Sequence, residues 1–183
     1  QWIGDDIDIV DAVAFCAGIE AKILRMPTGT QDYFPAYQGG VNLIDYLAGQ
    51  PLVQVADVDL AEFSNHISLF YTGKSHHSGI NNWQVIKKFI DQDAKTVDAL
   101  LQLREIAYSV LWAILDRQLD KLPNLFADEY KARTLLEESF SSPEIEKISQ
   151  IAGEQGALAT KICGAGGGGC VFTWTEPDNK AAV

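Results

Sequence analysis

The sequence predicts an α+β fold, and three observations indicate it. Segments with helically spaced apolar residues stand beside short apolar segments typical of strands. The two kinds do not alternate regularly, as they would in a doubly wound parallel sheet. A glycine-rich run at residues 164–169 opens directly onto residues 170–174, whose β-branched and aromatic side chains are typical of a strand. The 183 residues suffice for one ordinary domain or two small ones.

The first third of the chain begins with a predicted amphipathic helix over residues 5–24. Three aspartates in its first turn suit the positive end of a helix dipole, a structural role that we prefer to a metal site. Two prolines and a glycine exclude a continuous helix through residues 26–35, so we expect a polar loop there. Strand candidates follow at residues 41–46 and 52–58, each after a glycine-containing turn.

The remaining elements are predicted from the same periodicities. They are a strand at 67–71 and helices at 82–90, 94–119 and 128–140. Ser142 and Pro143 predict the start of a further helix, as its N-cap and first helical residue, and Gly153 and Gly156 predict its end. In this order a helix precedes the glycine-rich run and a strand follows it.

Composition and charge exclude several classes of partner. Lys and Arg total 14 against 25 Asp and Glu, which gives a net charge of −11 with no basic patch. Nucleic acids and anionic membranes are therefore poor partners, and no apolar run approaches the roughly 20 residues that span a bilayer. Three cysteines without CxxC spacing indicate neither a disulfide framework nor a zinc knuckle. We expect a cytoplasmic protein with reduced cysteines.

The glycine-rich run, GAGGGG at residues 164–169, holds five of the 15 glycines. A backbone without Cβ atoms lets successive N–H groups approach an anion, and this functional interpretation is the one we favour. The alternative is a strained connector that packs the final strand tightly on a helix. The run formally satisfies GxGxxG, but a strand after it instead of a helix excludes a dinucleotide-binding fold. The GxxxxGKS/T pattern of a Walker loop does not occur in the sequence.

Two motifs carry a resemblance to the GHMP kinases, the superfamily of galactokinase, homoserine kinase and mevalonate kinase. They are TGTQDY at residues 28–33, followed by Gly39 and Gly40, and KICGAGGGG at residues 161–169. Residues 71–79 also resemble a strand-end segment of the branch that acts on heptose phosphates. The family's PxxxGLGSSS phosphate loop is not in this sequence. We therefore expect a C-terminal portion of a longer kinase, with a pseudoenzyme-like remnant as the alternative.

The resemblance implies both a fold and an activity. Residues 1–60 would be the end of an N-terminal catalytic domain similar to domain 2 of ribosomal protein S5, and residues 61–183 a ferredoxin-like C-terminal domain. The activity would be transfer of the γ-phosphate of ATP to a hydroxyl of a sugar or sugar phosphate. ATP and Mg²⁺ would be required, with their main ligands upstream of residue 1 and no metal ligand within this chain. We expect the isolated fragment to be inactive.

The same resemblance assigns roles to individual residues. Asp32 matches the catalytic aspartate, which orients the substrate hydroxyl and accepts its proton; without the resemblance it is a turn-former or helix cap. The positions implied in substrate or phosphate binding are Gly29, Gln31, Gly39, Gly40, Gly164, Gly166, Gly167 and Gly168. Lys161, His76 and His77 are possible further ligands. Their alternatives are a solvated lysine at a helix end and a polar turn, and the histidine pattern argues against zinc.

Other function classes remain open at this stage. A noncatalytic small-molecule-binding or regulatory module could keep the same C-terminal fold, and a glycine-rich loop in an acyl- or phosphate-binding domain could have converged on this pattern. The oligomeric state is open, a homodimer included. Trp83 and Trp112 are interpreted as core or interface residues and not as stacking platforms for a ligand.

Overall fold

The computed structural model describes residues 7–26, 28–74, 78–164 and 166–183, and for residues 78–81 it describes the backbone alone. The chain divides into two compact units, Gln1–Val58 and Asp59–Val183. Each unit combines helices with a small antiparallel sheet, so the predicted α+β class is confirmed.

The described residues of the first unit form two helices and a hairpin. Helix α1 spans Ile9–Leu24 and begins at Asp8, whose carboxylate accepts a hydrogen bond from the Val10 N–H at 2.8 Å. Helix α2 spans Tyr33–Gln38. Strands β1 (Val41–Asp45) and β2 (Leu52–Ala56) pair antiparallel. The hairpin and α1 agree with the predicted elements to within a few residues, and the other two N-terminal aspartates lie outside the described residues.

Helix α2 begins inside the segment that was predicted to be a loop. The prediction rested on two prolines, but Pro35 occupies the first turn of α2. A proline there removes an N–H that would have no partner within the helix, so it does not prevent the helix from forming. Phe34 is 1% exposed, and burial of its ring favours this short helix.

The described residues of the second unit form five α-helices and a three-stranded sheet. The helices are α3 (Leu60–Asn65), α4 (Ser78–Ile90), α5 (Ala94–Leu115), α6 (Leu122–Leu136) and α7 (Pro143–Glu154). The strands are β3 (Ile67–Tyr71), β4 (Ala157–Ile162) and β5 (Cys170–Thr175). Strand β5 lies in the centre and is antiparallel to both neighbours. Its side chains Val171 and Trp174 are among the most buried of the described residues.

Some predicted boundaries agree with the structure and others differ; among the latter, α4 starts at Ser78 instead of residue 82 and α6 ends at Leu136 instead of residue 140. Strand β3 has the predicted limits, and Ser142 caps α7 by accepting the Ile145 N–H with Pro143 as the first helical residue. Helix α5 ends at Leu115 instead of residue 119. Helix α6 starts six residues before its predicted start, because the fully buried Leu122 extends it towards the N-terminus.

The prediction of a helix directly before the glycine-rich run is wrong, since β4 lies there. Alanine, leucine and lysine in this segment favour helix by propensity, but Thr160 and Ile162 are buried on one side of the sheet. Tertiary packing outweighs local propensity here. Trp83 and Trp112 are each 59% exposed, so of the core or interface role that we expected, the core role is wrong.

Candidate functional site

The glycine-rich loop, residues 164–169, connects β4 to β5 at one end of the sheet. Gly164, Gly166, Gly167 and Gly169 all have φ between 67° and 72°. L-amino acids with a side chain are disfavoured at such angles. The conformation of the loop therefore requires most of its glycines, whatever the loop binds.

Backbone groups fix the loop at two points. The Gly167 N–H donates to the Phe140 carbonyl at 2.7 Å, and a Cβ at Gly166 would lie only 2.3 Å from that same oxygen. The Gly169 N–H donates to the Lys74 carbonyl at 2.8 Å, and the Thr72 N–H donates to the Gly169 carbonyl at 2.9 Å. The close packing expected of a connector is thus present.

Donors expected of an anion site are present as well. Gly166 and Gly168 are buried, and within the described ranges of the chain no acceptor bonds to their N–H groups. An unpaired N–H beside glycines that lack Cβ atoms can approach an anionic oxygen closely. The loop therefore combines internal anchoring with donors that no described residue uses, so the functional and the structural interpretations of the glycines are compatible.

Lys161 does not lie at a solvated helix end, as one interpretation held. It lies in β4 with its side chain 22% exposed, and its Nζ is 3.0 Å from Oε1 of Glu129 on α6. Burial lowers the pKa of Lys161, and the positive charge of Arg133 adds to this effect while the Glu129 carboxylate opposes it. The Lys161 side chain is thus largely removed from solvent, and its ammonium group is paired with Glu129.

Arg133 joins this ion cluster to the glycine-rich loop. Its Nε donates to Glu129 Oε1 at 2.7 Å, its Nη2 to the same oxygen at 2.5 Å, and its Nη1 to the Gly164 carbonyl at 2.9 Å. Sequence analysis missed Glu129 and Arg133. Their i, i+4 spacing on a helix was a visible signal for an ion pair, but it does not indicate proximity to residue 164.

The acidic loop, residues 28–32, precedes α2 in the first unit. Asp32 stands at the N-cap position of α2, yet its side chain makes no capping hydrogen bond, and the residue is exposed. The helix-cap alternative for Asp32 is therefore not the role of its carboxylate. Gly29 and Gln31 are also exposed, so these three residues of the loop are accessible.

Hydroxyl groups hold the acidic loop in place. The Tyr33 hydroxyl donates to the Glu20 carboxylate on α1, and this hydrogen bond, together with burial, raises the pKa of Tyr33 to about 12. Thr30 Oγ1 and the Tyr46 hydroxyl lie 3.0 Å apart. Asp32 thus lies between two residues that are held by hydrogen bonds, Thr30 to the hairpin and Tyr33 to α1.

Gly39 and Gly40 have a structural requirement of their own. Their φ values are 73° and 71°, and Asn42 Nδ2 donates to their carbonyls at 2.8 and 3.2 Å. A Cβ at Gly40 would lie 2.9 Å from Cγ1 of Val55. They turn the chain from α2 into β1, which accounts for both glycines without a ligand.

His76 and His77 lie outside the described residues. In the ranges that the structure covers, no group of three or more His, Cys, Asp or Glu side chains could hold a metal ion. Across the same ranges, none of the helices has the length and apolar character needed to cross a membrane.

Comparison with curated proteins and family models gives two matches. Residues 110–183 match the family model described as GHMP kinases C terminal. The chain is 21% identical over 184 residues to the D-glycero-α-D-manno-heptose 7-phosphate kinase of Campylobacter jejuni, covering 98% of this chain and 54% of that protein. The chain thus spans about half the length of this relative.

Solved structures show the same fold. Mevalonate kinase of L. major in complex with R-mevalonate aligns with a TM-score of 0.73 at 21% identity, over 84% of this chain and 46% of that one. A D-glycero-D-manno-heptose 1-phosphate kinase from Bacteroides thetaiotaomicron aligns with a TM-score of 0.68 at 17% identity, over 99% and 49%. The resemblance seen in the sequence is confirmed, and residues 110–183 match the C-terminal family model of the GHMP kinases.

Proposed function

We propose that the complete protein is an ATP-dependent kinase that transfers the γ-phosphate to a hydroxyl of a sugar or sugar phosphate. The observation that carries this proposal is the glycine-rich loop, in which the N–H groups of buried Gly166 and Gly168 have no partner among the residues that the structure describes. The loop lies within the part of the chain that matches the GHMP family model. The heptose kinase relative supports a heptose phosphate as the first substrate class to test.

The glycine-rich loop would bind phosphate oxygens through its backbone. We assign this site to Gly164, Gly166, Gly167 and Gly168. Because the Gly167 N–H donates to the Phe140 carbonyl, Gly167 would contribute only its lack of a side chain. Phosphoryl transfer leaves little covalent chemistry to the protein, because catalysis consists of positioning and charge stabilisation. A donor set fixed before the substrate arrives would bind phosphate oxygens in the ground state and in the transition state alike, without reorganising during the reaction.

Asp32 would act as the general base. Its carboxylate accepts the proton of the sugar hydroxyl as that oxygen bonds to phosphorus and the bond from phosphorus to ADP breaks. The exposed carboxylate without a capping bond supports this role. We assign substrate contacts near it to Gly29 and Gln31, and retain Gly39, Gly40, His76 and His77 as further candidates.

Mg²⁺ would accompany ATP and neutralise part of its phosphate charge. The donor groups within the described ranges do not provide a cluster for it, so we assign no metal ligand here and derive no step through the ion. We place the end of a catalytic domain in residues 1–60 and a C-terminal kinase domain in residues 61–183. We infer a cytoplasmic location, which suits a kinase that uses ATP and small sugar phosphates.

A noncatalytic binding module is the second candidate. It is favoured by the anchoring of the loop, since Gly167 and Gly169 donate into the protein and explain part of the glycine content without a reaction. Such a module would bind a sugar phosphate without consuming ATP.

ADP release by the complete protein, with Mg-ATP and a panel of heptose phosphates, hexose phosphates and mevalonate, tests the proposal. We expect turnover with a sugar or sugar phosphate. Thermal stabilisation by a sugar phosphate without ADP release would establish the binding module instead, because a ligand of the native state raises its stability. If no member of the panel gave either turnover or stabilisation, both candidates would be contradicted.

A further inference from the structure

Three charged side chains meet beside the first residue of the glycine-rich loop. Glu129 and Arg133 extend from α6 and Lys161 from β4, and both cations contact the same oxygen, Glu129 Oε1. The other carboxylate oxygen, Oε2, is buried and has no hydrogen-bond partner within the described ranges. The carboxylate is therefore held entirely through Oε1.

Burial makes this cluster different from a surface ion pair. The Glu129 side chain is 10% exposed, and a carboxylate so far removed from water is costly unless cations stay beside it. Lys161 and Arg133 supply them. Removing the Glu129 charge would leave two partly buried cations facing each other, so the positions of all three groups depend on one another.

Arg133 has a geometry that lysine cannot reproduce. Its Nε and Nη2 donate hydrogen bonds to Glu129, while its Nη1 donates to the Gly164 carbonyl. A guanidinium presents several donors in a rigid plane, whereas an ammonium is a single point charge. Glu129 thus orients the guanidinium, and the guanidinium fixes the carbonyl at which the loop leaves β4.

We propose that Glu129 and Arg133 are positioning residues that hold the glycine-rich loop in its phosphate-binding conformation. Lys161 acts through Glu129, as part of this support, and does not contact phosphate directly. The inference rests on the proposed function for its consequence in catalysis. The alternative is an ion cluster that stabilises the second unit as a whole and has no particular effect on the loop.

Arg133→Lys in the complete protein is the deciding variant, because it keeps the positive charge beside Glu129 and removes the planar guanidinium with its several donors. Hydrogen–deuterium exchange of a peptide spanning residues 166–169 reports on the loop locally. We expect exchange there to accelerate about tenfold or more, with exchange in α7 and β3 unchanged. Unchanged loop exchange would overturn the inference. Acceleration to an equal degree in α7 and β3 would also overturn it, since that indicates general destabilisation.

The neighbouring pair on α6 provides a matched control. Lys131 and Asp128 form an exposed pair at 3.3 Å, with side chains 74% and 57% exposed. Lys131→Gln and Asp128→Asn should leave loop exchange unchanged, because exposed pairs contribute little to stability. If either control accelerated loop exchange as much as Arg133→Lys, the effect would belong to α6 in general and the inference would fail.

Kinetics provide the second readout. Loss of phosphate contacts made in both the ground state and the transition state raises KM and leaves kcat nearly unchanged. For Arg133→Lys we expect KM for ATP or the sugar phosphate to rise about fivefold or more, with kcat within about threefold. A fall in kcat at constant KM would overturn the positioning role. If the wild-type protein showed no turnover, the proposed function would fail while loop exchange would still decide the role of Arg133 in ordering the loop.

A double-mutant cycle tests the indirect role of Lys161. If Lys161 acts only through Glu129, adding Lys161→Met to Glu129→Gln produces no further rise in KM, so the two effects are not additive. Additive effects would place Lys161 on the phosphate and overturn that part of the inference. Should Glu129→Gln fail to fold, Arg133→Lys and Lys161→Met in an Arg133→Lys background decide the same question.

Discussion

The acidic loop and the glycine-rich loop are fixed by opposite means. Side-chain hydroxyls of Thr30 and Tyr33 tether the acidic loop, and the carboxylate of Asp32 takes no part in that tethering. The glycine-rich loop is held through its own backbone groups, and its N–H groups are of the kind that would bind phosphate. Substitutions in the acidic loop should therefore be able to change activity without changing stability. Substitutions in the glycine-rich loop should change both together.

Asp32→Asn should have the largest effect, and it tests directly whether activity can change in the acidic loop without a change in stability. Removing the charge abolishes proton acceptance, so we expect kcat of the complete protein to fall by about 10²–10⁴. The free energy of unfolding should change by less than about 0.5 kcal/mol, because the residue is exposed and does not cap α2. Steady-state kinetics and urea denaturation measure the two quantities.

Asp57→Asn is the matched control for this prediction. Asp57 is an exposed aspartate of the same unit, and its substitution should leave both kcat and stability unchanged. Near-normal turnover of Asp32→Asn would refute the assignment of Asp32 as the base.

Gly166→Ala compared with Gly164→Ala tests the coupling in the second loop. Both positions have φ near 70°, but a Cβ at Gly166 meets the Phe140 carbonyl at 2.3 Å and a Cβ at Gly164 meets no atom within 4 Å. We expect about 1–2 kcal/mol of destabilisation from the left-handed conformation in both variants. Gly166→Ala should lose about 1–3 kcal/mol more from overpacking, together with weaker phosphate binding.

Urea denaturation and the KM for ATP provide the measurements for this pair. Equal losses of stability in the two variants would show that the contact with Phe140 does not constrain the loop. Reduced stability with unchanged binding would favour the connector interpretation of the glycines.

Gly40→Ala offers the corresponding test beside the acidic loop. Its new Cβ would meet Cγ1 of Val55 at 2.9 Å, and that side chain is 51% exposed on the hairpin. The clash is therefore with a removable methyl group and not with backbone. We expect Gly40→Ala to destabilise by about 1–3 kcal/mol, and a double-mutant cycle with Val55→Ala to show favourable coupling of about 0.5 kcal/mol or more. Strict additivity would contradict the predicted contact.

Local signals were sufficient for part of the fold. Ser142 followed by Pro143 identified the start of α7, because capping depends on adjacent residues only. Strand β4 was missed since its alanines and leucine favour helix, and its strand conformation depends on pairing with β5. Periodicity reports which face of a segment is apolar but not which partner will cover it.

The candidate site was likewise predictable only where its residues are adjacent in the sequence. The glycine-rich loop was visible because its glycines are consecutive in sequence. The support from Glu129 and Arg133 was not, since Arg133 reaches a carbonyl 31 residues further along the chain. Sequence reasoning also placed Lys161 at a helix end, where it would be solvated, because the strand that buries it was not recognised.

The smallest expected effect is on the pKa values of two tyrosines, Tyr33 and Tyr130, which are raised by different causes. The pKa of Tyr33 is raised to about 12 mainly by its hydrogen bond to Glu20, whereas that of Tyr130 on α6 is raised to about 12 mainly by burial. Glu20→Gln should therefore lower the pKa of Tyr33 towards 10, and Glu146→Gln, which removes the carboxylate beside Tyr130, should change the pKa of Tyr130 less. Titration followed by the ultraviolet absorbance of tyrosinate measures both shifts.

The stability of the acidic loop should follow the same titration. A phenol whose pKa is higher in the folded state stabilises that state fully below pH 10 and loses the contribution as the pH rises through about 12. The wild-type protein should therefore lose the Tyr33 tether only within that window, and Glu20→Gln should remove the pH dependence that the tether contributes. Equal pKa shifts in the two variants would contradict the distinction, because burial would then contribute equally to both tyrosines.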